Sequence, residues 1–123
     1  MTCPCRVLIA DDVADIRRLV RMCLDPDTFE VVGEASDGEE AWRLARSEQP
    51  DVVVLDLSMP VMDGLQAIPE IKRHSPDSKI LILSGFASEA MSAQAISLGA
   101  DAYMEKGCNF RELSGKLKEL CAS

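Results

Sequence analysis

The chain has 123 residues, of which 47% are hydrophobic and 28% charged, and its formal net charge is −8. This length suits one hydrophobic core, so residues 1–123 are expected to form a single domain. The acidic balance argues against direct nucleic-acid binding, because phosphate contacts need clustered Lys and Arg. No apolar run approaches the roughly 20 residues of a membrane span. The N-terminus lacks the charged region of a signal peptide.

The five cysteines are odd in number and irregular in spacing, in a chain that is large enough to fold without disulfides. They are Cys3, Cys5, Cys23, Cys108 and Cys121. This usage predicts free thiols in a reducing cytoplasm. The Cys3-Pro4-Cys5 segment has no second Cys pair and no nearby His, so it is only a weak indication of a metal or redox site.

The first half of the chain alternates between strand and helix patterns. An apolar run predicts a strand at residues 7–10, and an amphipathic helix pattern follows over 14–25. A weaker strand pattern lies around Val31, before a second helical stripe over 37–48. The run at 52–55 is continuously apolar rather than alternating, which favours a strand that is covered on both faces.

The second half continues with a helix at residues 64–74, a strand at 80–83 and a helix at 88–100. A weaker strand pattern lies around residue 103, and a last helix is predicted from 109 onward. Pro69 is expected to bend the first of these helices or delay its start, because proline lacks a backbone donor. Gly99 suits a helix C-cap. Asn109 suits an N-cap of the last helix.

Strands and helices therefore alternate through the chain with short loops. Right-handed crossovers turn this order into an α/β fold, a doubly wound parallel sheet with helices on both faces. The ligand site of such sheets lies beyond the carboxyl ends of the strands. Polar side chains follow four of the predicted strands there, namely Asp11 with Asp12, Asp56, Ser84 and Lys106. We expect these side chains to converge at one edge of the sheet.

Three carboxylates at one edge repel one another, and a bound cation removes that cost. A hard divalent ion prefers oxygen ligands, and Mg²⁺ suits a site with few carboxylates that keeps some waters. Lys106 and Ser84 at the rim can hold an anionic ligand that the metal also contacts. Acids, metal, hydroxyl and ammonium together indicate a phosphoryl-transfer site.

Four motifs occur in order, "LIADD", "VVLDLSMPVMDG", "ILILSG" and "GADAYMEKG". They resemble the motifs of two-component response-regulator receiver domains, most of all the receivers of helix-turn-helix (LuxR-type) transcriptional regulators. The resemblance implies a flavodoxin-like fold with five helices and five parallel strands in the order 2-1-3-4-5. It also implies a signalling switch rather than an enzyme, which takes a phosphoryl group from a sensor histidine kinase or a phosphotransfer protein.

The resemblance assigns roles to the acids that match receiver motifs. Asp56 corresponds to the phosphoacceptor. Asp12 corresponds to the acid that binds Mg²⁺ directly, and Asp11 to its neighbour, which usually acts through water. Asp56 itself and the backbone carbonyl of Ser58 complete the metal ligands that the family implies.

Three further residues match the part of a receiver that responds to phosphorylation. Lys106 corresponds to the lysine that pairs with the phosphoryl group, Ser84 to the switch hydroxyl and Tyr103 to the aromatic that moves inward. Their movement would change the face formed by helix 4, strand 5 and helix 5. Gly107 departs from the family pattern, because receivers commonly have Pro at this position. Phe86 is at a position that, in the family, affects how long the phosphoryl group survives.

Several other residues receive ordinary structural interpretations. Asp63 precedes Gly64 and is predicted to be a turn or N-cap residue. His74, the only histidine, is predicted to be a solvated helix end without a carboxylate partner or a catalytic role. The resemblance places kinase docking on the exposed face of the first helix, which carries Arg17, Arg18 and Arg21.

Two other functions stay open at this point. One is a protein-interaction module that keeps the fold without being phosphorylated. The other is a flavin-binding or hydrolytic enzyme, which the lack of a Ser/Thr-rich phosphate loop, a nucleophile elbow or a His base disfavours. No output domain is expected in this chain, so it is either a single-domain regulator or the N-terminal receiver of a longer transcription factor that can form a homodimer on phosphorylation.

Overall fold

The computed structural model of the protein describes residues 4–85 and 89–122. Strands and helices alternate along these residues. The strands are β1 (Cys5–Ala10), β2 (Phe29–Ala35), β3 (Val52–Leu55), β4 (Lys79–Ser84) and β5 (Ala102–Glu105). The helices are α1 (Ala14–Met22), α2 (Gly38–Glu48), α3 (Gly64–His74), α4 (Glu89–Leu98) and α5 (Phe110–Ala122). Every predicted element is present, and the largest difference is that α1 ends at Met22 instead of residue 25.

The five strands form one parallel sheet in the order β2-β1-β3-β4-β5. The predicted fold class and strand order are therefore confirmed. The strand order reverses its direction between β1 and β3, and ligand sites in such sheets lie at this point. Ala10 pairs with Leu55 at the ends of these two strands, which brings the following residues, Asp11 and Asp56, to the same edge.

Side chains of the sheet alternate between two hydrophobic clusters, because successive residues of a strand point to opposite faces. On β1, Leu8 and Ala10 belong to one cluster, whereas Val7 and Ile9 belong to the other. Residues of α2, α3 and α4 cover the first cluster, and residues of α1 and α5 cover the second. Both faces of the central strands are thus buried, as their continuous apolar runs predict.

Local sequence signals set several helix ends. Asp63 accepts a hydrogen bond from the Gln66 N–H at 2.8 Å, and the Gln66 side chain accepts one from the Asp63 N–H, which forms a capping box at the start of α3. Asn109 accepts one from a backbone N–H in the first turn of α5. Gly99 follows α4 with a φ of 124°, as suits a C-cap glycine. Pro69 lies inside α3 and does not delay its start.

The prediction of free thiols is wrong for two of the cysteines. Cys5, at the start of β1, and Cys121, in the last turn of α5, form a disulfide with their Cα atoms 6.2 Å apart. Cys23 and Cys108 are free and half-buried, and Cys3 lies outside the described residues. The sequence separation of 116 hides this pair from any spacing argument, because only the packing of α5 on the sheet brings the two thiols together.

His74 is the last residue of α3 as predicted, but the prediction that it is solvated and lacks a carboxylate partner is wrong. Its ring stacks on Trp42 of α2 with the ring centroids 4.7 Å apart. Its Nε2 atom lies 3.6 Å from a carboxylate oxygen of Glu70, one turn earlier on α3. The histidine therefore packs one helix against another instead of pointing into solvent, and a single helix pattern does not show which neighbour will cover it.

Gly64 is expected to tolerate no side chain, because the start of α3 approaches the backbone that follows β3. A Cβ atom here would collide with the Asp56 carbonyl oxygen and lie 2.7 Å from the Leu57 Cα atom. Gly64→Ala is expected to lower the free energy of unfolding by about 3 kcal/mol, measured by urea denaturation.

Gly115 is the matched control in the exposed middle of α5. Apart from its two chain neighbours and the surrounding backbone of α5, no atom of the described residues lies within 4 Å of the position that its Cβ would take. Gly115→Ala is expected to raise the free energy of unfolding by about 1 kcal/mol, since alanine favours the helix. Changes of the same sign in both variants would contradict this interpretation of Gly64.

Candidate functional site

Two buried acids lie at the carboxyl edge of the sheet. Asp11 directly follows β1 and Asp56 directly follows β3, and each is only 3% exposed. Their backbones extend the sheet, because the Asp11 N–H donates to the Ala35 carbonyl at 3.0 Å and the Asp56 N–H to the Ala10 carbonyl at 2.9 Å. Asp12, the next residue along the chain, is exposed. The rigid strand ends thus bring together the three acids that the sequence indicates.

Lys106 bridges the two buried acids. Its Nζ atom lies 2.8 Å from Asp11 Oδ2 and 3.2 Å from Asp56 Oδ2. Its backbone N–H donates to the Ser84 carbonyl at 2.7 Å, which holds the end of β5 beside the end of β4. One ammonium group therefore faces two buried carboxylates, and it offsets only part of their charge.

The surroundings raise the pKa of the Asp56 carboxyl. Burial is the largest cause and the charge of Asp11 comes next, whereas Lys106 and the Ser58 N–H, 3.3 Å from Asp56 Oδ1, lower it. Burial is also the largest single influence on Lys106 and lowers its pKa, but the hydrogen bonds and charges of Asp11 and Asp56 together raise it. A further cation beside Asp56 would therefore stabilise its ionised form.

The acids are close enough to share one cation. Asp11, Asp12 and Asp56 each offer a carboxylate oxygen, and these oxygens lie within 4.8 Å of one another. A ligand set made only of oxygen atoms suits a hard divalent ion such as Mg²⁺. The negative charge that Lys106 leaves uncompensated favours the same ion. The residues present thus fit the metal that the sequence predicts.

The loop between β3 and α3 is held beside the acids by backbone hydrogen bonds. The Gly64 N–H donates to the Leu57 carbonyl at 2.9 Å, and the Gly38 N–H of α2 donates to the Met62 carbonyl at 2.8 Å. Val61 in this loop has a φ of 68° and is 77% exposed. A positive φ is rare for a β-branched residue, and such strain is typical of functional loops. The sequence motif "VVLDLSMPVMDG" alone did not indicate this positive φ at Val61.

Ser84 and Ser58 lie at the same carboxyl edge of the sheet, whereas Tyr103 lies two residues before the end of β5. Ser84 ends β4 and is buried, Tyr103 is half-buried on the edge strand β5, and Ser58 is exposed in the loop after β3. Phe86 lies outside the described residues. Gly107 follows the site lysine with a φ of 97°, which proline cannot adopt. Gly107 thus adopts a left-handed backbone conformation in the turn after β5.

Comparison with known proteins identifies the family. A family model described as the response regulator receiver domain matches residues 7–118. The chain belongs to this family. Chemotaxis protein CheY of Thermotoga maritima is 39% identical over 101 residues, which are 82% of this chain and 84% of that protein. Transcriptional regulatory protein PdtaR of Mycobacterium tuberculosis is 41% identical over 112 residues, which are 89% of this chain and 53% of that protein.

Solved structures agree with this identification. A two-component response regulator of the LuxR family from Aurantimonas sp. SI85-9A1 has a TM-score of 0.90 and 30% identity, with 98% of this chain and 86% of that chain covered. The predicted resemblance to two-component receivers, including those of LuxR-type regulators, is confirmed. The receiver spans most of the CheY protein but only about half of the transcriptional regulator. Within residues 4–85 and 89–122, no helix is long and apolar enough to cross a membrane.

The three arginines of α1, where the resemblance places kinase docking, differ in their contacts and exposure. Arg17 and Arg21 both bind the Glu34 carboxylate, at 3.0 and 2.7 Å. Arg17 also donates to the Asp11 carbonyl, whereas the side chain of Arg18 is 73% exposed. Glu34 on β2 therefore joins α1 to the loop that carries the site acids. Sequence reasoning missed this link because its members lie on different elements.

Glu34→Gln is expected to lower the free energy of unfolding by about 1 kcal/mol at neutral pH, because two arginines lose a charged partner. The hydrogen bond from Arg21 is the largest cause that lowers the pKa of Glu34, and burial partly opposes it. The advantage of the wild type is therefore present at neutral pH and is lost as the pH falls through this lowered pKa. Urea denaturation at neutral and acidic pH measures the difference.

Asp15→Asn is the control for this prediction. It breaks the exposed pair between Asp15 and Arg18, whose closest atoms are 3.9 Å apart. Exposed pairs at this distance contribute little, so its stability should stay close to that of the wild type. If Asp15→Asn lowers the free energy of unfolding as much as Glu34→Gln does, the Glu34 contacts contribute no more to stability than an exposed ion pair.

Proposed function

We propose that this receiver is a phosphoacceptor switch of a two-component system. In this proposal Asp56 takes a phosphoryl group from a phosphohistidine of a sensor kinase or a phosphotransfer protein. The main support is the position of Lys106, whose Nζ atom lies 2.8 Å from Asp11 and 3.2 Å from Asp56. The exposed Asp12 lies beside these two acids. A structural ion pair needs one acid for one lysine, whereas the carboxyl edge of this sheet holds three acids beside one lysine.

The proposed reaction is a direct transfer between side chains. A carboxylate oxygen of Asp56 attacks phosphorus, and the new O–P bond forms as the P–N bond to the donor histidine breaks. The donor imidazole nitrogen keeps the electron pair. The end of β3 positions Asp56, and Lys106 lies where it can offset the incoming negative charge. The chain thus contributes position and charge rather than a separate acid or base.

Mg²⁺ would be held by Asp11, Asp12, Asp56 and the backbone carbonyl of Ser58. When bound, the ion neutralises charge on the phosphoryl oxygens and on the acids. Lys106 and the Ser58 N–H hold the Asp56 carboxylate in place through contacts of 3.2 and 3.3 Å. Asp12 is exposed, so it can bind a cation at little desolvation cost.

Phosphorylation would also change the face made by α4, β5 and α5. The added group brings nearly two negative charges and new acceptor oxygens, which Ser84 and Lys106 would follow while Tyr103 moves inward. Within its described residues, α4 buries only Ala95, and the residues of β5 are half-buried or exposed. Elements with few buried contacts move at low free-energy cost.

The output of the switch is proposed from the relatives. PdtaR, of which the chain covers 53%, is a transcriptional regulatory protein, and the similar response regulator from Aurantimonas sp. belongs to the LuxR family. We infer that this receiver controls a helix-turn-helix transcriptional output in the cytoplasm, with a stand-alone receiver as the alternative. A net charge of −8 supports a receiver that does not itself bind DNA. A homodimer through the α4–β5–α5 face is expected on phosphorylation.

Phosphoryl uptake tests the proposal. The protein is incubated with Mg²⁺ and acetyl phosphate, and its intact mass is measured before and after treatment with hydroxylamine, which cleaves acyl phosphates. We expect one phosphoryl group per chain, which hydroxylamine removes. We also expect no uptake after Mg²⁺ is removed with EDTA, because the acids then repel the incoming group. Size-exclusion chromatography with beryllium fluoride, a phosphoryl mimic, measures the oligomeric state.

Each part of the proposal has its own contradicting outcome. A protein that takes up no phosphoryl group with Mg²⁺ present would favour the constitutive interaction module. Uptake that is insensitive to EDTA would contradict the metal site but not the phosphoacceptor. A receiver that stays monomeric with the mimic would favour the stand-alone alternative.

A further inference from the structure

The last turn of α5 carries a cysteine on its buried side. Leu113 and Leu117 are 3% and 0% exposed, and Cys121 follows four residues after Leu117. Positions four apart lie on one face of a helix. Cys121 is half-buried and packs against the same cluster as the two leucines. The helical period therefore places this thiol on the side of α5 that faces the sheet.

Cys5 is the opposing thiol on the sheet. It is 9% exposed, and its N–H donates to the Thr28 carbonyl at 2.8 Å, so the β1–β2 pairing holds it in place. The Cα atoms of Cys5 and Cys121 are 6.2 Å apart. Disulfides usually join Cα atoms that are about 4.4 to 6.8 Å apart. Neither backbone has to move for the two residues to be joined.

Solvent reaches this pair through a surface cavity of about 350 Å³, whose lining includes Cys5, Asp51, Lys118 and Cys121. A small thiol or disulfide can therefore approach the two sulfur atoms. The other described thiols, Cys23 and Cys108, line a separate groove between α1 and the start of α5. They are not part of this site.

We propose that Cys5 and Cys121 form a reversible dithiol–disulfide site that fastens the end of α5 to β1. The oxidant is a low-molecular-weight disulfide. One protein thiolate attacks it and releases one small thiol, and the other protein thiolate then displaces the second small thiol from the mixed disulfide. The protein loses two electrons and two protons, which the two small thiols carry. A reducing thiol reverses both steps.

The crosslink acts far from the phosphoryl site. Cys5 begins β1 and Asp11 follows its end, which places them roughly 20 Å apart at about 3.3 Å per residue. The crosslink closes a loop with a sequence separation of 116, so it restricts the unfolded chain strongly. Oxidation is therefore expected to stabilise the fold and the attachment of α5 without changing phosphoryl uptake.

The test uses the full chain with Cys3→Ser, because a third thiol two residues from Cys5 in the sequence would complicate the thiol count and the peptide map. The reduced protein is equilibrated with glutathione buffers of rising oxidised fraction. Reactive thiols are counted with Ellman's reagent, and the linkage is mapped by peptide mass. We expect a monomer that loses two thiols through a Cys5–Cys121 bond, with a melting temperature higher by about 10 °C. Dithiothreitol should reverse both changes.

Two variants and one control separate this site from the other thiols. Cys121→Ser and Cys5→Ser are each expected to lose the crosslink and the gain in melting temperature, and Cys121→Ser is the milder change because Cys121 is only half-buried. Cys23→Ser should behave as its parent. The proposal would be overturned if all thiols stay reactive, if the bond formed joins Cys23 to Cys108, or if the melting temperature does not change. It would also be overturned if the reduced Cys5 and Cys121 are hidden from Ellman's reagent by a bound metal ion.

Discussion

Asp56→Asn is expected to abolish phosphoryl uptake while the protein stays folded, because an amide cannot form the acyl phosphate. Burial and the charge of Asp11 raise the pKa of Asp56, so loss of the carboxylate removes a charge repulsion. Lys106 keeps its 2.8 Å contact with Asp11. Without Mg²⁺, the free energy of unfolding is therefore expected to stay the same or to rise by about 1 kcal/mol. Intact mass measures uptake, and urea denaturation measures stability.

Asp63→Asn is the matched control, because Asp63 is the other acid of the same segment. The Asp63 side chain caps α3 by accepting the Gln66 N–H at 2.8 Å. Asparagine is an equally good N-cap, so stability should stay within about 0.5 kcal/mol and uptake should match the wild type. Uptake that survives in Asp56→Asn, or that is lost only in Asp63→Asn, would contradict the assignment of the phosphoacceptor.

Lys106→Met has the second large expected effect. It leaves Asp11 and Asp56, each 3% exposed, without the ammonium that contacts both. Without divalent ions, we expect a loss of about 2 kcal/mol in the free energy of unfolding, because buried charge without a partner is costly. Uptake from acetyl phosphate is expected to be slower by about 100-fold, since the lysine no longer offsets the phosphoryl charge. Added Mg²⁺ should restore more stability than it adds to the wild type.

Lys72→Met distinguishes this effect from the ordinary loss of an ion pair. The Lys72 and Lys106 side chains are similarly exposed, at 26% and 23%, and Lys72 Nζ contacts Asp101 at 3.0 Å. Lys72 lies on α3, away from the site acids, so its loss should cost about 1 kcal/mol that Mg²⁺ does not restore. Uptake should be normal. An equal response to Mg²⁺ in both variants, or normal uptake in Lys106→Met, would argue against the proposed role of Lys106.

The elements were predictable because their signals are local. Continuous β-branched runs mark strands that are buried on both faces, and β3 has the bounds that its apolar run predicts. Helix ends were predictable where one side chain satisfies the first turn, as Asp63 does for α3. The end of α1 was less predictable, because its apolar stripe continues beyond Met22 while the backbone turns at Cys23.

The geometry around the site was less predictable, because it depends on pairs that are distant in sequence. The parallel register of β1 and β3 places Asp11 beside Asp56, and an alternation rule alone does not state that register. The ion pair between Glu34 and Arg17 depends on how α1 lies relative to β2, and no single helix or strand pattern predicts that arrangement. The same reason explains the stacking of His74 on Trp42.

The sequence by itself determined the order of the elements, the fold class, and the placement of acids, a serine and a lysine directly after strands, because these follow from local periodicity and chain order. Only the tertiary structure decided that one Lys106 ammonium lies 2.8 and 3.2 Å from two buried acids, and that Cys5 meets Cys121. Such distances are set by how helices pack on a sheet. That packing depends on many contacts at once and leaves no local signature in the chain.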